Sequence, residues 1–232
     1  MCKKVWAIAK LNFRSLKTAY IITAIVIIGM SSNYGMNVFI ANSYDMADNY
    51  NISMGWTLWL LPVLASILVP ARNLKRTMNL GGKRDNFFWG SLEVYAILAG
   101  IVSVAVAITD HVEMNIIKNL DWGGIFTSAN VFGWGEYGIL AVVFQQFAFL
   151  FLFTSFVHTL TAVQDKWFGW AADVLIIAII SVFSPIAPLR AALAWFFRAI
   201  LFNSPLTQIP VCMILALAIY SLNKAIFARK AI

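Results

Sequence analysis

Cysteine, histidine and charge are all scarce in this 232-residue chain, and each scarcity removes a class of protein. There are two cysteines, Cys2 and Cys212, one near the N-terminus and one inside an apolar run. That is too few for a disulfide framework, and their placement matches no metal-ligand spacing. The two histidines, His111 and His158, form no zinc-protease motif. A Gly-x-Ser-x-Gly elbow and a paired intramembrane Glu-Glu motif are both missing, so the chain is not expected to be an enzyme. Gly81-Gly82-Lys83-Arg84 lacks the earlier glycine of a phosphate loop and the Ser or Thr that follows its lysine. No cofactor and no metal are therefore expected on this chain. Only 12% of residues are charged and 61% are hydrophobic, against roughly 25% and 45–50% in soluble domains.

What the chain has instead is a series of apolar runs of about 20 residues, the length that crosses a hydrocarbon core roughly 30 Å thick. The expected fold is an all-α integral membrane bundle forming one domain over residues 1–232. Six spans are expected at about 18–40, 54–70, 87–108, 136–163, 169–183 and 209–227. Pro70 marks the expected exit of the second span, and residues 109–135 read as a polar outer segment. The N-terminal stretch is too polar for a secretory signal, so the first apolar run is read as a retained helix.

Two further segments stand apart from the spans. In residues 3–17, Val5, Ile8, Ala9, Asn12, Phe13 and Leu16 recur at helical spacing, with basic residues mostly opposite. This predicts an amphipathic helix in the membrane interface. Residues 184–208 are interrupted by Pro185, Pro188 and Pro205 and carry Arg190 and Arg198. They predict a re-entrant hairpin on the outer side, between the fifth and sixth spans.

Charge sets the expected orientation. With the N-terminus inside, fourteen of the seventeen Lys and Arg residues fall on the inner side. Only Lys118, Arg190 and Arg198 fall outside, which places both termini in the cytoplasm by the positive-inside rule. The formal net charge of +7 is thus a topology signal and an anchor for anionic membrane lipid, with no nucleic acid implied.

The richest inner segment is Arg72 to Phe88. Arg72, Lys75 and Arg76 lead to Leu80-Gly81-Gly82, then Lys83-Arg84-Asp85, and Phe87-Phe88 opens the third span. Physically this is a basic helix, a glycine break and an aromatic re-entry into the membrane; it also reads as an ordinary positive-inside loop. The segment resembles the "leucine-glycine, small, small, arginine, charged, aromatic" element of permeases in the ABC-2 superfamily of ABC transporters. The inner turn Asp165-Lys166-Trp167-Phe168-Gly169 is more loosely similar to the arginine-phenylalanine-glycine turn of small bacterial members. The layout of amphipathic helix, six spans and broken fifth-to-sixth connection is similar as well.

That resemblance implies a permease subunit in the bacterial cytoplasmic membrane, paired with a second copy or a related permease. ATP and Mg sit on separate cytoplasmic ABC ATPase subunits, docked at Arg72, Lys75, Arg76, Leu80, Gly81, Lys83, Arg84 and Phe87. The small size is similar to that of exporters of amphipathic peptides, toxins or drugs. The alternative is a six-span substrate-binding component of a vitamin uptake transporter, with an outer pocket.

Polar residues inside the spans are candidates for a transport pathway or for helix-to-helix packing. They are Glu93, about 9 Å beyond Phe87 along its helix, together with Asp173, Gln145, Gln146, Asn33 and His158.

Overall fold

The computed structural model describes residues 2–43, 51–120, 125–164, 167–183 and 185–229. Nearly all of them are helical. The chain begins with α1 (Cys2–Ser15) and α2 (Lys17–Ser43), then α3 (Gly55–Leu58) and α4 (Leu60–Leu68). A π turn (Val69–Asn73) joins α4 to α5 (Leu74–Asn79), and α6 (Arg84–Leu120) follows. After α7 (Ser128–Val131) and a 3-10 turn (Trp134–Tyr137) come α8 (Ile139–Val163), α9 (Trp167–Phe183), α10 (Ala187–Leu201) and α11 (Pro205–Arg229). Among the described residues the only strand pairing is two residues long, with β1 (Asn51–Ile52) parallel to β2 (Ile125–Phe126). It ties the segment before α3 to the segment before α7.

Four helical stretches are long and apolar enough to cross a membrane: Gly55–Asn79, Arg84–Ile116, Ile139–Val163 and Pro205–Ala228. The number rises to six if two bent pairs each count as one span. One is α1 with α2, bent by 45°, and the other is α9 with α10, bent by 115°. The structure thus bears out a helical protein suited to several membrane crossings.

The centre of the bundle is α8, which packs against α4, α6, α9 and α11. Such a helix must be apolar around most of its circumference, and its sequence is. Its main partner, α11, presents Gln208, Cys212, Ala216, Tyr220, Asn223 and Phe227, all buried. Their spacing of three or four keeps them on one face, and the small Cys212 and Ala216 let the helices approach closely. Polar bonds mark both ends of this pair. Gln145 Nε2 donates to Gln208 Oε1 at 2.6 Å, and Asn223 Nδ2 donates to Thr159 Oγ1 at 2.7 Å.

Three sequence expectations need correction. First, α1 is amphipathic, but Val5, Ile8, Ala9, Asn12 and Leu16 are buried within the protein. The helix packs on α6, so its apolar stripe is spent on protein contact. The approach is close at Gly90, where a Cβ would lie 3.0 Å from Ile8 Cγ2 and 3.1 Å from the Val5 carbonyl. Second, Pro70 does not end the second span. It lies in the π turn, whose wider loop accommodates the missing N–H, and the helix runs on to Asn79. Third, the third span does not stop near Ile108, because α6 continues for another twelve residues to Leu120.

Candidate functional site

At one end of the bundle, α5 closes with Leu80 and Gly81 before α6 begins at Arg84. Gly81 has φ +76°, a left-handed conformation that favours glycine at a helix end. Its N–H donates to the Met78 carbonyl, and the Gly82 N–H donates to the Thr77 carbonyl. The chain thereby reverses within a few residues. Leu80 is 71% exposed at the tip of this elbow, and Arg72, Lys75, Arg76, Gly81 and Lys83 are exposed around it.

Two residues of the expected docking set are used differently. Phe87 is 0% exposed and stacks edge-on against Phe227 of α11 at 5.5 Å. It belongs to the interior and offers no surface to a partner. Arg84 donates from Nη1 to the Ala228 carbonyl at 2.8 Å, which fastens the elbow to the end of α11.

The intramembrane candidates separate in the same way. His158 is buried and shares a hydrogen bond between its Nδ1 and the Tyr95 hydroxyl. The rings of Tyr220 and Phe227 flank it at 5.2 and 5.8 Å, and Tyr220 in turn donates to the Phe88 carbonyl at 2.8 Å. Gln164 Nε2 donates to Asp173 Oδ2 at 2.7 Å, bracing the α8–α9 turn. Glu93 is exposed on α6. Asn33 belongs to α2, but its side chain lies outside the described residues, as do Asp165 and Lys166 of the inner turn.

At the opposite end lies a polar junction that the sequence reading placed in a loop. Asp110 is 2% exposed on α6. It accepts hydrogen bonds from Ser53 Oγ at 2.7 Å and Ser128 Oγ at 2.8 Å. Gln146 Nε2 donates to the same Ser128 hydroxyl. Three residues on, buried Glu113 accepts from the Met54 backbone N–H at 3.0 Å. One helix turn of carboxylates therefore gathers the approach to α3, the start of α7 and the middle of α8. The signal was present in the spacing, since Val102, Val106, Asp110 and Glu113 continue one buried face of α6. Their charge, rather than their period, decided the loop assignment.

Gln145 and Gln146 are both fully buried, on directions about 100° apart. Gln145 binds Gln208 and the Asn203 carbonyl, whereas Gln146 faces Ser128. Both serve as interhelical polar contacts. Among the described residues no group of three or more His, Cys, Asp or Glu is placed to hold a metal.

Asp110→Leu is expected to cost about 3 kcal/mol, since two bonds to a charged acceptor at about 1.5–3 kcal/mol each are lost, while relief of carboxylate burial offsets part. Asp110→Asn, which keeps the shape and one acceptor, costs less. Unfolding of the detergent-solubilised protein measures both, and unchanged stability in the leucine variant would contradict the bonding described.

Two clefts flank these elements. The inner one, about 490 Å³, is lined by Leu11, Arg14, Ser15, Lys17, Thr18, Arg72, Asn73 and Arg76. The outer one, about 360 Å³, is lined by residues 130–133 together with Glu136, Tyr137, Phe202 and Asn203. Comparison with protein-family models, curated proteins and solved structures finds no match to this chain.

Proposed function

We propose that the chain is the membrane-spanning subunit of an ATP-driven exporter, with nucleotide hydrolysis on a separate cytoplasmic subunit. The observation that carries this reading is the continuity of the Gly55–Asn79 helix with the exposed basic elbow. Force applied at Lys75, Leu80 and Lys83 passes directly into that helix, and through Arg84 and Phe87 into α6 and α11. Closure of an ATP-loaded partner then shifts the bundle by binding one of its states better than the other. In this reading the chain lies in a bacterial cytoplasmic membrane with both termini inside. It pairs with a second copy or a related permease, and ATP and magnesium reside on the partner ATPase. Amphipathic peptides, toxins or drugs are the cargo by fold-level analogy alone.

The test is co-purification with a stand-alone ATPase encoded in a neighbouring reading frame. Reversing two charges in Lys75→Glu, Lys83→Glu is expected to cut co-purification about tenfold or more while the bundle stays folded. Full retention of the ATPase by the folded variant would sink the docking assignment.

A second reading rests on the outer cleft, whose Phe132, Tyr137 and Phe202 beside Glu136 and two asparagines suit a small ligand. It makes the chain a vitamin-binding subunit. Tight small-ligand binding by the chain alone would favour it over the exporter.

A further inference from the structure

The inner cleft has a composition that the exporter reading does not use. Arg14 and Lys17 come from the α1–α2 bend, and Arg72 and Arg76 come from the π turn and α5. No carboxylate lines it. Among the described residues, none of these four side chains has a hydrogen-bond or ion-pair partner. Within each pair the spacing of three or four residues places both cations on one helix face. Two like-charged faces therefore meet across one concave space, an arrangement that focuses positive potential and attracts an anion.

The floor of the cleft is built rather than incidental. Asn73 is 2% exposed, and its Nδ2 donates to Asn12 Oδ1 at 2.9 Å and to Ser15 Oγ. Asn12 reaches on to Ser91 Oγ at 3.4 Å. These bonds lock α1, the π turn and α6 together, so the four cations are held at a fixed separation without any charge between them. The volume falls in the range of about 300–1,000 Å³ typical of small-molecule sites.

We propose that this cleft binds the phosphate of an anionic phospholipid headgroup, in the leaflet on the N-terminal side of the bundle. Guanidinium groups match phosphate oxygens in a two-pronged geometry, and Ser15 and Thr18 add hydroxyl donors at the rim. The choice of lipid over a soluble phosphate rests on what adjoins the cleft. Immediately beyond Lys17 and Thr18, α2 exposes Ile21, Ile22, Ile25 and Ile28. That spacing continues the same helix face, giving acyl chains an apolar track that starts at the headgroup position. Lys75, Leu80 and Lys83 do not line the cleft, so lipid binding and partner docking occupy different faces of the elbow and fail independently.

The experiment uses the full chain in detergent micelles and in phosphatidylcholine nanodiscs with or without phosphatidylglycerol. Native mass spectrometry counts retained lipid, and a titration of phosphatidylglycerol gives an apparent affinity. Wild type is expected to retain phosphatidylglycerol in preference to phosphatidylcholine. Arg14→Gln, Arg72→Gln is expected to weaken binding at least about tenfold, the effect of losing one charge-assisted contact. Lys75→Gln, Lys83→Gln removes the same charge outside the cleft and is expected to stay within about twofold of wild type. Inorganic phosphate is expected not to displace the lipid at concentrations that saturate the site with phosphatidylglycerol. Equal losses in the two variants would reduce the effect to bulk charge and overturn the proposal. So would ready displacement by inorganic phosphate, which would assign the cleft to a soluble anion. Wild type that holds no more phosphatidylglycerol than phosphatidylcholine overturns it without reference to any variant.

Discussion

Trp134→Ala is expected to lower the unfolding free energy by about 3–5 kcal/mol, the range for deleting a buried aromatic ring. Trp134 lies in the short 3-10 turn before α8 and is 0% exposed. Its ring packs on Phe132 at 4.8 Å and approaches Phe149 at 6.4 Å. Phe132 in turn meets Trp56, Trp59 and Phe202. The indole N–H donates to the Leu201 carbonyl at 2.7 Å, at the end of α10. One side chain therefore holds the outer ends of α8 and α10 and the aromatic cluster above α4. Trp134→Phe separates the two contributions, since it keeps most of the ring packing and removes the donor. It is expected to cost about 1–3 kcal/mol. Chemical unfolding in mild detergent, followed by circular dichroism, measures both. An alanine variant within 1 kcal/mol of wild type, by that same assay, would mean that the outer junction does not hold the helices as described.

Gly90→Leu is expected to detach α1 from α6. Even a Cβ at this position meets Ile8 Cγ2 and the Val5 carbonyl at 3.0 and 3.1 Å. The alanine variant requires the neighbours to yield by a few tenths of an ångström, at a cost toward the lower end of the 1–3 kcal/mol typical of overpacking. A leucine has no space at all between two helix backbones this close, so α1 must move. Its release uncovers Val5, Ile8, Ala9 and Leu16 and breaks the Asn12–Asn73 bond. Hydrogen exchange across Cys2–Ser15 reads this directly. Loss of amide protection confined to α1 is the expected result, and protection equal to wild type would disprove the close approach. The same variant dismantles one wall of the cationic cleft, so phosphatidylglycerol retention is expected to fall with it.

How much of this was legible in the sequence depended on the kind of signal. Run length located the apolar helices, because lipid thickness imposes it directly. Period identified the buried face of α1 through Val5, Ile8, Ala9, Asn12 and Leu16. It did not identify what covers that face, since lipid and protein both accept apolar side chains. Residue identity misled at Pro70, where a helix breaker was read as an exit although a π turn carries the helix past it. It misled again at Asp110 and Glu113, where charge outweighed a period that continued unbroken from Val102 and Val106. Phe87 was assigned to a docking surface by its position after a basic run, but it faces α11. Neighbours in sequence three or four apart were legible. The pairings that close the polar junction, such as Asp110 with Ser53 or Gln145 with Gln208, depend on tertiary packing that no local pattern encodes.

The π turn has a consequence in terms of register. A turn closed by i to i+5 bonds holds one residue more than an α turn. Restoring ordinary winding by deleting one residue from Val69–Asn73 would rotate everything downstream by about 100° and draw it back by about 1.5 Å. Arg72 and Arg76 would then no longer face Arg14 and Lys17 across the cleft, although every side chain involved would still be present. The azimuth of the elbow is thus set by a count of residues, and a single insertion or deletion there re-aims the whole inner end of the protein without altering its chemistry.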